Sequence, residues 1–208
     1  MDWHAWHLDY DRPGSTLSRR LLHVQDRIRV ALDDAPPGPL RLVSLVAGQG
    51  RDVIPVLASH PRGRDVTGVL VEIDPRNTAV ARSSRDAADL TGLEVVTGDA
   101  ADLEHYRPYA PADVVVMCGL FGNISNEDIR RMVGLAVPLT KRGGTVIWTR
   151  GKIGVDMVPT ISGWFADEGF ERLFVSDPTN DFRVSAHRSH VDPTPLPDGV
   201  SAFVFVGH

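Results

Sequence analysis

An apolar run, Leu42-Val43-Ser44-Leu45-Val46, enters the turn Ala47-Gly48-Gln49-Gly50, and a second apolar run ends on Glu72 in Val71-Glu72-Ile73-Asp74-Pro75. No other feature restricts the fold as much. A strand running into Gly-x-Gly, then a helix, then a strand closing on a carboxylate opens a parallel sheet with a ligand crevice along its carboxyl edge. Gly48 and Gly50 allow a tight turn and let the backbone approach a ligand with no Cβ in the way. Glu72 lies 22 positions beyond Gly50, where a carboxylate accepts hydrogen bonds from both hydroxyls of a ribose. The pattern predicts a nucleoside pocket.

The third position of the turn separates two classes of nucleoside ligand. A dinucleotide site uses Gly-x-Gly-x-x-Gly, whose last glycine brings the helix against its strand and aims its N-terminus at a pyrophosphate. Val53 stands there instead and pushes the helix away. That points to a ligand without a pyrophosphate and disfavours a nicotinamide-dependent oxidoreductase. Leu93 to Thr97 reads as a third strand leading to Asp99-Ala100, with Asp99 a natural acceptor for an adenine amino group. Ala112 to Met117 reads as a fourth strand opening into the small-residue turn Cys118-Gly119. Arg142-Gly143-Gly144 reads as a helix end, followed by a fifth strand at Thr145 to Trp148.

With these motifs in this order, the chain from Leu40 to the C-terminus resembles the class I S-adenosylmethionine-dependent methyltransferases. The resemblance implies a three-layer Rossmann-like α/β sandwich, with a mostly parallel seven-stranded sheet and an antiparallel C-terminal strand. It implies one domain over residues 1–208, with an N-terminal arm and helix (1–39) and a cofactor-binding core (40–208). It also implies S-adenosylmethionine as cofactor and S-adenosylhomocysteine as product. On that reading Ala47, Gly48, Gln49 and Gly50 contact the methionine and adenosine portions, Glu72 holds the ribose, Asp99 contacts the adenine, and Ile73 and Ala100 beside them also bind the cofactor. Cys118 and Gly119 lie beside the cofactor and Tyr10 closes over it. Two positions depart from the family pattern. Ser44 stands where an acid is usual, and Val46 where a first glycine is usual.

Composition narrows the partners. Apolar residues make up 42% of the chain and charged residues 24%, ordinary globular values. The net charge of −5 offers no basic footprint for a nucleic acid, so a small-molecule acceptor is expected instead. Cys118 is the only cysteine, which excludes an intramolecular disulfide. The first residues, Met1-Asp2-Trp3-His4-Ala5-Trp6-His7, carry neither the basic region nor the apolar core of a secretory signal. No apolar run is long enough for a membrane span. A cytoplasmic location is the expectation.

Local signals place the remaining elements. Ser15 or Thr16 caps a first helix whose Leu17, Leu21, Val24, Ile28 and Ala31 share one face. The first crossover helix is predicted to start near Arg51, with Asp52 favouring its positive end and Pro55 in its first turn. Asp74-Pro75 is a cap with proline at the first helical position, and Ser125 with Asp128 forms an acidic capping box. Trp164, Phe165 and Phe170 anchor a last helix. Three strand-like runs follow, at Glu171–Ser176, Phe182–His187 and Ser201–Val206. The first and last are assigned to the closing antiparallel pair, which leaves the middle run as an extension or an added strand.

Candidates for chemistry cluster at the N-terminus and after the fourth strand. An oxygen acceptor must lose a proton as it attacks a methyl group, and His7 is the candidate general base, with His4 beside the acceptor. Phe121 and Asn123 are expected to line the acceptor site. His4-x-x-His7 has a metal-like spacing but no carboxylate–histidine cluster nearby to complete a site, so no metal is expected. His187, Arg188 and His190 either reach the pocket or end a strand in solvent. The resemblance thus implies methyl transfer to a small molecule. The alternative is a protein that kept the fold and binds a ligand without transfer.

Overall fold

A computed structural model describes residues 7–151 and 154–206, with the backbone alone at His7 and Leu8. Seven strands form one sheet: β1 (Leu40–Ser44), β2 (Val66–Glu72), β3 (Leu93–Thr97), β4 (Ala112–Met117), β5 (Thr140–Gly151), β6 (Phe170–Val175) and β7 (Phe182–Ser189). Their order is β3-β2-β1-β4-β5-β7-β6. The first five run parallel, and β7 is antiparallel to both neighbours.

Alternation along the strands builds the three layers. Val43, Val69, Val71, Val115 and Trp148 face one core, closed by α4 (Asn126–Leu139) and α5 (Val158–Asp167) through Ile129, Met132, Val133, Ile161 and Phe165. Leu42, Leu70, Val114, Val116 and Ile147 face the other. That side is covered by α1 (Thr16–Asp34), α2 (Ile54–Ser59) and α3 (Pro75–Ala87). All of β4 is buried because both of its faces are covered.

The predicted caps form. The Ser15 hydroxyl accepts from the Ser18 amide, Asp74 from that of Arg76, and Ser125 from that of Asp128. On α1, Leu17, Val24, Ile28 and Ala31 are buried and Leu21 is half-buried.

Four expectations need correction. The helix after the glycine turn starts at Ile54, because residues 51–53 are still turning and Pro55 then fixes its first turn. Gly143 and Gly144 do not end a helix. The helix stops at Leu139, Thr140 already pairs with Ala112, and the two glycines lie in β5 where its register with β4 shifts.

The closing pair is made by the first and middle C-terminal runs. Phe182–Ser189 pairs with β5 from Thr145↔Arg188 to Gly151↔Phe182, taking the edge that β4 leaves open. Arg183, almost fully buried, secures the hairpin by donating to the carbonyls of Asp177, Pro178 and Asn180 and pairing with Asp156. The last run crosses the helical face instead. Ser201 bridges to Asp102 and Phe205 to Ile124, so it ties together the loops after β3 and β4.

His187 is neither a pocket residue nor a solvated strand end. It is 0% exposed, its ring stacks 4.5 Å from Phe165, and its Nδ1 accepts from Trp148 Nε1 at 3.2 Å. Burial, with Arg172 nearby, lowers its pKa to about 3. The unfolded chain therefore takes up a proton that the native state refuses. The stability this histidine contributes is complete above about pH 6.5 and is lost as pH falls toward 3, by up to about 1.4 kcal/mol per pH unit. Chemical-denaturation curves for the wild type and His187→Phe between about pH 6.5 and pH 5 test this, since their difference cancels the other titrating groups. The wild type should lose stability relative to the variant as the medium acidifies; a constant difference refutes the assignment.

Candidate functional site

The strand order reverses between β1 and β4, and in open α/β sheets the carboxyl ends at such a switch point frame the ligand crevice. The glycine turn is held from the neighbouring strand. Glu72, at the tip of β2 and 7% exposed, accepts from the Gly48 amide through Oε2 at 2.9 Å and from the Asp74 amide through Oε1 at 2.9 Å. A carboxylate has about four lone-pair positions, so Glu72 keeps acceptor capacity for two further hydroxyls. Gly50 has φ +69°, and a Cβ there would stand 2.6 Å from Ile54 Cδ1. Only glycine fits that combination.

The departures from the family pattern are visible in the geometry. Ser44 is fully buried, and its Oγ lacks a hydrogen-bond partner. Val46 takes φ +47°, a left-handed backbone that is strained for a β-branched residue. Where an acid on β1 would brace the loop, Glu72 braces it from β2.

Ile73 is 60% exposed beside Glu72. Across β3, Asp99 is exposed and its Oδ1 accepts from the Ala101 amide at 2.9 Å. Ala100 is buried, and its carbonyl accepts from the Tyr106 hydroxyl at 2.8 Å. A pocket opens between residues 99–104 and the crossing segment at Gly199–Ser201.

On the β4 side Cys118 is half-buried. Burial, and then the charge of Asp52, pushes its thiol well above the usual range. The Gly119 amide donates to Thr149 Oγ1 at 2.8 Å, and Asn123 Nδ2 to the Gly119 carbonyl at 2.7 Å. Phe121 does not line an open acceptor site. It is 0% exposed and packs on Trp148 at 5.5 Å between centroids, because the strand end turns its ring inward.

The N-terminal segment reaches the glycine turn as a short 3-10 turn at His7–Asp11. Arg51 grips Asp11 at 2.6 and 3.2 Å, donates to Gln49 Oε1 at 2.9 Å, and lies 5.7 Å from the Tyr10 ring centroid. The Tyr10 hydroxyl accepts from Arg20 at 2.7 Å, and burial raises its pKa. Gln49 is buried and donates to Asn77 Oδ1 at 3.3 Å. His4 and the side chain of His7 lie outside the described residues. Among the described residues no group of three or more His, Cys, Asp and Glu could hold a metal ion, and no helix is long and apolar enough to cross a membrane.

One functional candidate escaped the sequence. Asp52 reads as a carboxylate suited to a helix N-terminus, yet its Oδ1 is buried without a hydrogen-bond partner. Burial raises its pKa to about 6, offset in part by its own amide, Arg20 and the Val53 amide. Its place beside Gly50 was visible in the chain. Its burial comes from segments remote in sequence.

No protein-family model matches the chain, and no curated protein sequence does. Solved structures do. The magnesium protoporphyrin IX methyltransferase from Synechocystis, with S-adenosylhomocysteine bound, aligns with TM-score 0.64 and 15% identity, over 90% of this chain and 93% of that one. An O-methyltransferase family protein from Burkholderia thailandensis aligns with TM-score 0.64 and 19% identity over 83% of this chain. This chain spans only 55% of that protein's length. An RNA methyltransferase from Salinibacter ruber, in complex with S-adenosyl-L-homocysteine, aligns with TM-score 0.51 and 20% identity, over 84% of this chain and 96% of that one. At these identities the likeness concerns the fold, and the fold is that of the class I S-adenosylmethionine-dependent methyltransferases.

Glu72 should be intolerant of its amide. In Glu72→Gln one of the two backbone amides faces an NH2 group and loses its acceptor, at a cost of about 1–3 kcal/mol if it is the buried Gly48 amide. Chemical denaturation of the ligand-free protein measures this, and an unchanged midpoint would refute the bracing role.

Proposed function

We propose that this chain binds S-adenosylmethionine at the β1–β4 crevice and promotes transfer of its methyl group to a small-molecule acceptor. One observation carries the reading. The glycine turn is pinned to an acidic strand tip that retains acceptor capacity for a ribose, at the point where the strand order reverses.

In this reading residues 1–208 act as one domain. The backbone of Ala47 to Gly50 faces the methionine and adenosine portions, and Glu72 receives the ribose hydroxyls. Ile73 offers the adenine an apolar surface, while Asp99 and the Ala100 backbone meet its polar edge. Cys118 and Gly119 border the cofactor from the β4 side. Tyr10, held by Arg20, closes over it from the N-terminal turn. Asn123 borders the acceptor, His4 is assigned a part in holding it, and His7 is assigned to take its proton where one must leave.

Bound there, the cofactor supplies a methyl group on a sulfonium, which the acceptor displaces in line to leave S-adenosylhomocysteine. The chain's contribution is alignment at near-contact distance. The net charge of −5 and the basic patch it fails to provide favour a small acceptor over a nucleic acid, and a cytoplasmic setting belongs to the same reading. A second reading, binding without transfer, draws support from buried Ser44 and strained Val46, which depart from the family pattern beside the cofactor turn.

Calorimetric titration with S-adenosylmethionine, S-adenosylhomocysteine and NAD separates these readings. Both adenosyl ligands should bind and NAD should not. Binding with no methyl transfer to any acceptor supports the second reading. Binding of NAD alone, or of nothing at millimolar concentration, overturns the first.

A further inference from the structure

Asp52 stands where no assigned role uses it. It follows Gly50 on the chain leaving β1, while Cys118 leads the chain away from β4, and these two strands are parallel neighbours in register Ser44↔Val116. The crevice between their carboxyl ends is the switch point of the sheet, where ligands of open α/β folds bind. Asp52 lies on the β1 side of it, between the glycine turn and α2. Its charge acts on the Cys118 thiol from the β4 side and on the Tyr10 phenol from the N-terminal turn.

The carboxylate is only partly compensated there, by its own amide, the Val53 amide and the charge of Arg20. Oδ1 is buried with no hydrogen-bond partner. Arg20 on α1 is the cation whose charge reaches Asp52, and it also holds the Tyr10 hydroxyl. Arg51, next in the chain, turns its guanidinium away to Asp11 and Gln49. A carboxylate oxygen buried without a partner is costly, and here burial raises the pKa of the group to about 6. A cation arriving in the crevice would relieve that cost.

We propose that Asp52 is the counter-charge for the sulfonium of S-adenosylmethionine, making the site prefer the cationic cofactor to the neutral thioether left after transfer. The proposal rests on the cofactor reading above and adds what that reading lacks, a means of discriminating substrate from product. Methyl transfer moves the carbon to the acceptor and returns the bonding pair to sulfur, so the positive charge beside Asp52 disappears. The carboxylate then loses its partner, and the product is held less tightly than the substrate was.

The test needs no knowledge of the acceptor. S-adenosylmethionine and S-adenosylhomocysteine share the adenosine, amine and carboxylate, so the ratio of their dissociation constants isolates the effect of the sulfonium charge. In the wild-type protein, calorimetry from about pH 5 to about pH 7.5 should show preference for S-adenosylmethionine rising by at least about fivefold as Asp52 ionises. In Asp52→Asn the ratio should be flat and both ligands should still bind. In Arg20→Gln, where a neighbouring positive charge is gone, the midpoint should move to higher pH. A flat ratio in the wild type, with both ligands bound, overturns the proposal and leaves the cofactor reading standing. Binding of neither ligand overturns both. The wild-type profile decides the matter even if a variant does not fold.

Discussion

The carboxylate of Glu72 ties the turn after β1 to the cap of α3. Its oxygens accept from an amide in the turn after β1 and an amide at the cap of α3. Hydrogen bonds to an ionised acceptor are roughly twice as strong as neutral ones, and burial shields these from water. They form because β1 and β2 lie in parallel register, Ser44 opposite Leu70, which sets the turn beside the tip of the longer β2. With a serine on β1 in place of an acid, the brace comes from the neighbouring strand. The carbonyl of Val71 adds a bond from the Ala47 amide at 2.9 Å. Val46 therefore holds a strained backbone inside a turn whose two ends are fixed to the sheet.

The first and the last described residues converge on this edge. From the N-terminal side, one guanidinium on Arg51 binds Asp11 and Gln49 and approaches the Tyr10 ring. A single exposed ion pair contributes little, but Arg51 gathers several contacts and sits next to the glycine turn. The arm is thereby attached to the turn it covers. From the C-terminal side, the last described residues return across the helical layer. The Ala202 amide donates to the Ala101 carbonyl, and the Val206 amide to the Asn123 carbonyl, each at 2.9 Å. Arg107 reinforces that path through Leu196, Pro197 and Asp198. The loops after β3 and β4 are joined by a segment that is not part of the sheet.

Elements governed by local chemistry were legible in the chain. Ser15, Asp74 and Ser125 are caps because their side chains satisfy helix-terminal amides within a few residues. The five parallel strands were legible because β-branched apolar runs ending on small or acidic residues have few other solutions. Gly143 and Gly144 misled because a Gly pair after a helix looks like a stop, whereas here the strand begins first and the glycines absorb a register shift. Ser201–Val206 misled for a related reason. Its pattern fits a strand, but the open edge of β5 was taken by Phe182–Ser189.

The sequence by itself determined the parallel core and the positions of Gly48, Gly50, Glu72 and Asp99 on one edge of it, since periodicity and turn chemistry act over a few residues. Tertiary structure decided what those positions touch. It placed Phe121 against Trp148, His187 between aromatic rings, and one carboxylate oxygen of Asp52 where it meets no hydrogen-bond partner. Burial and electrostatic coupling depend on segments far apart in the chain, such as Arg20, Asp52 and Cys118. No window of neighbouring residues contains them together.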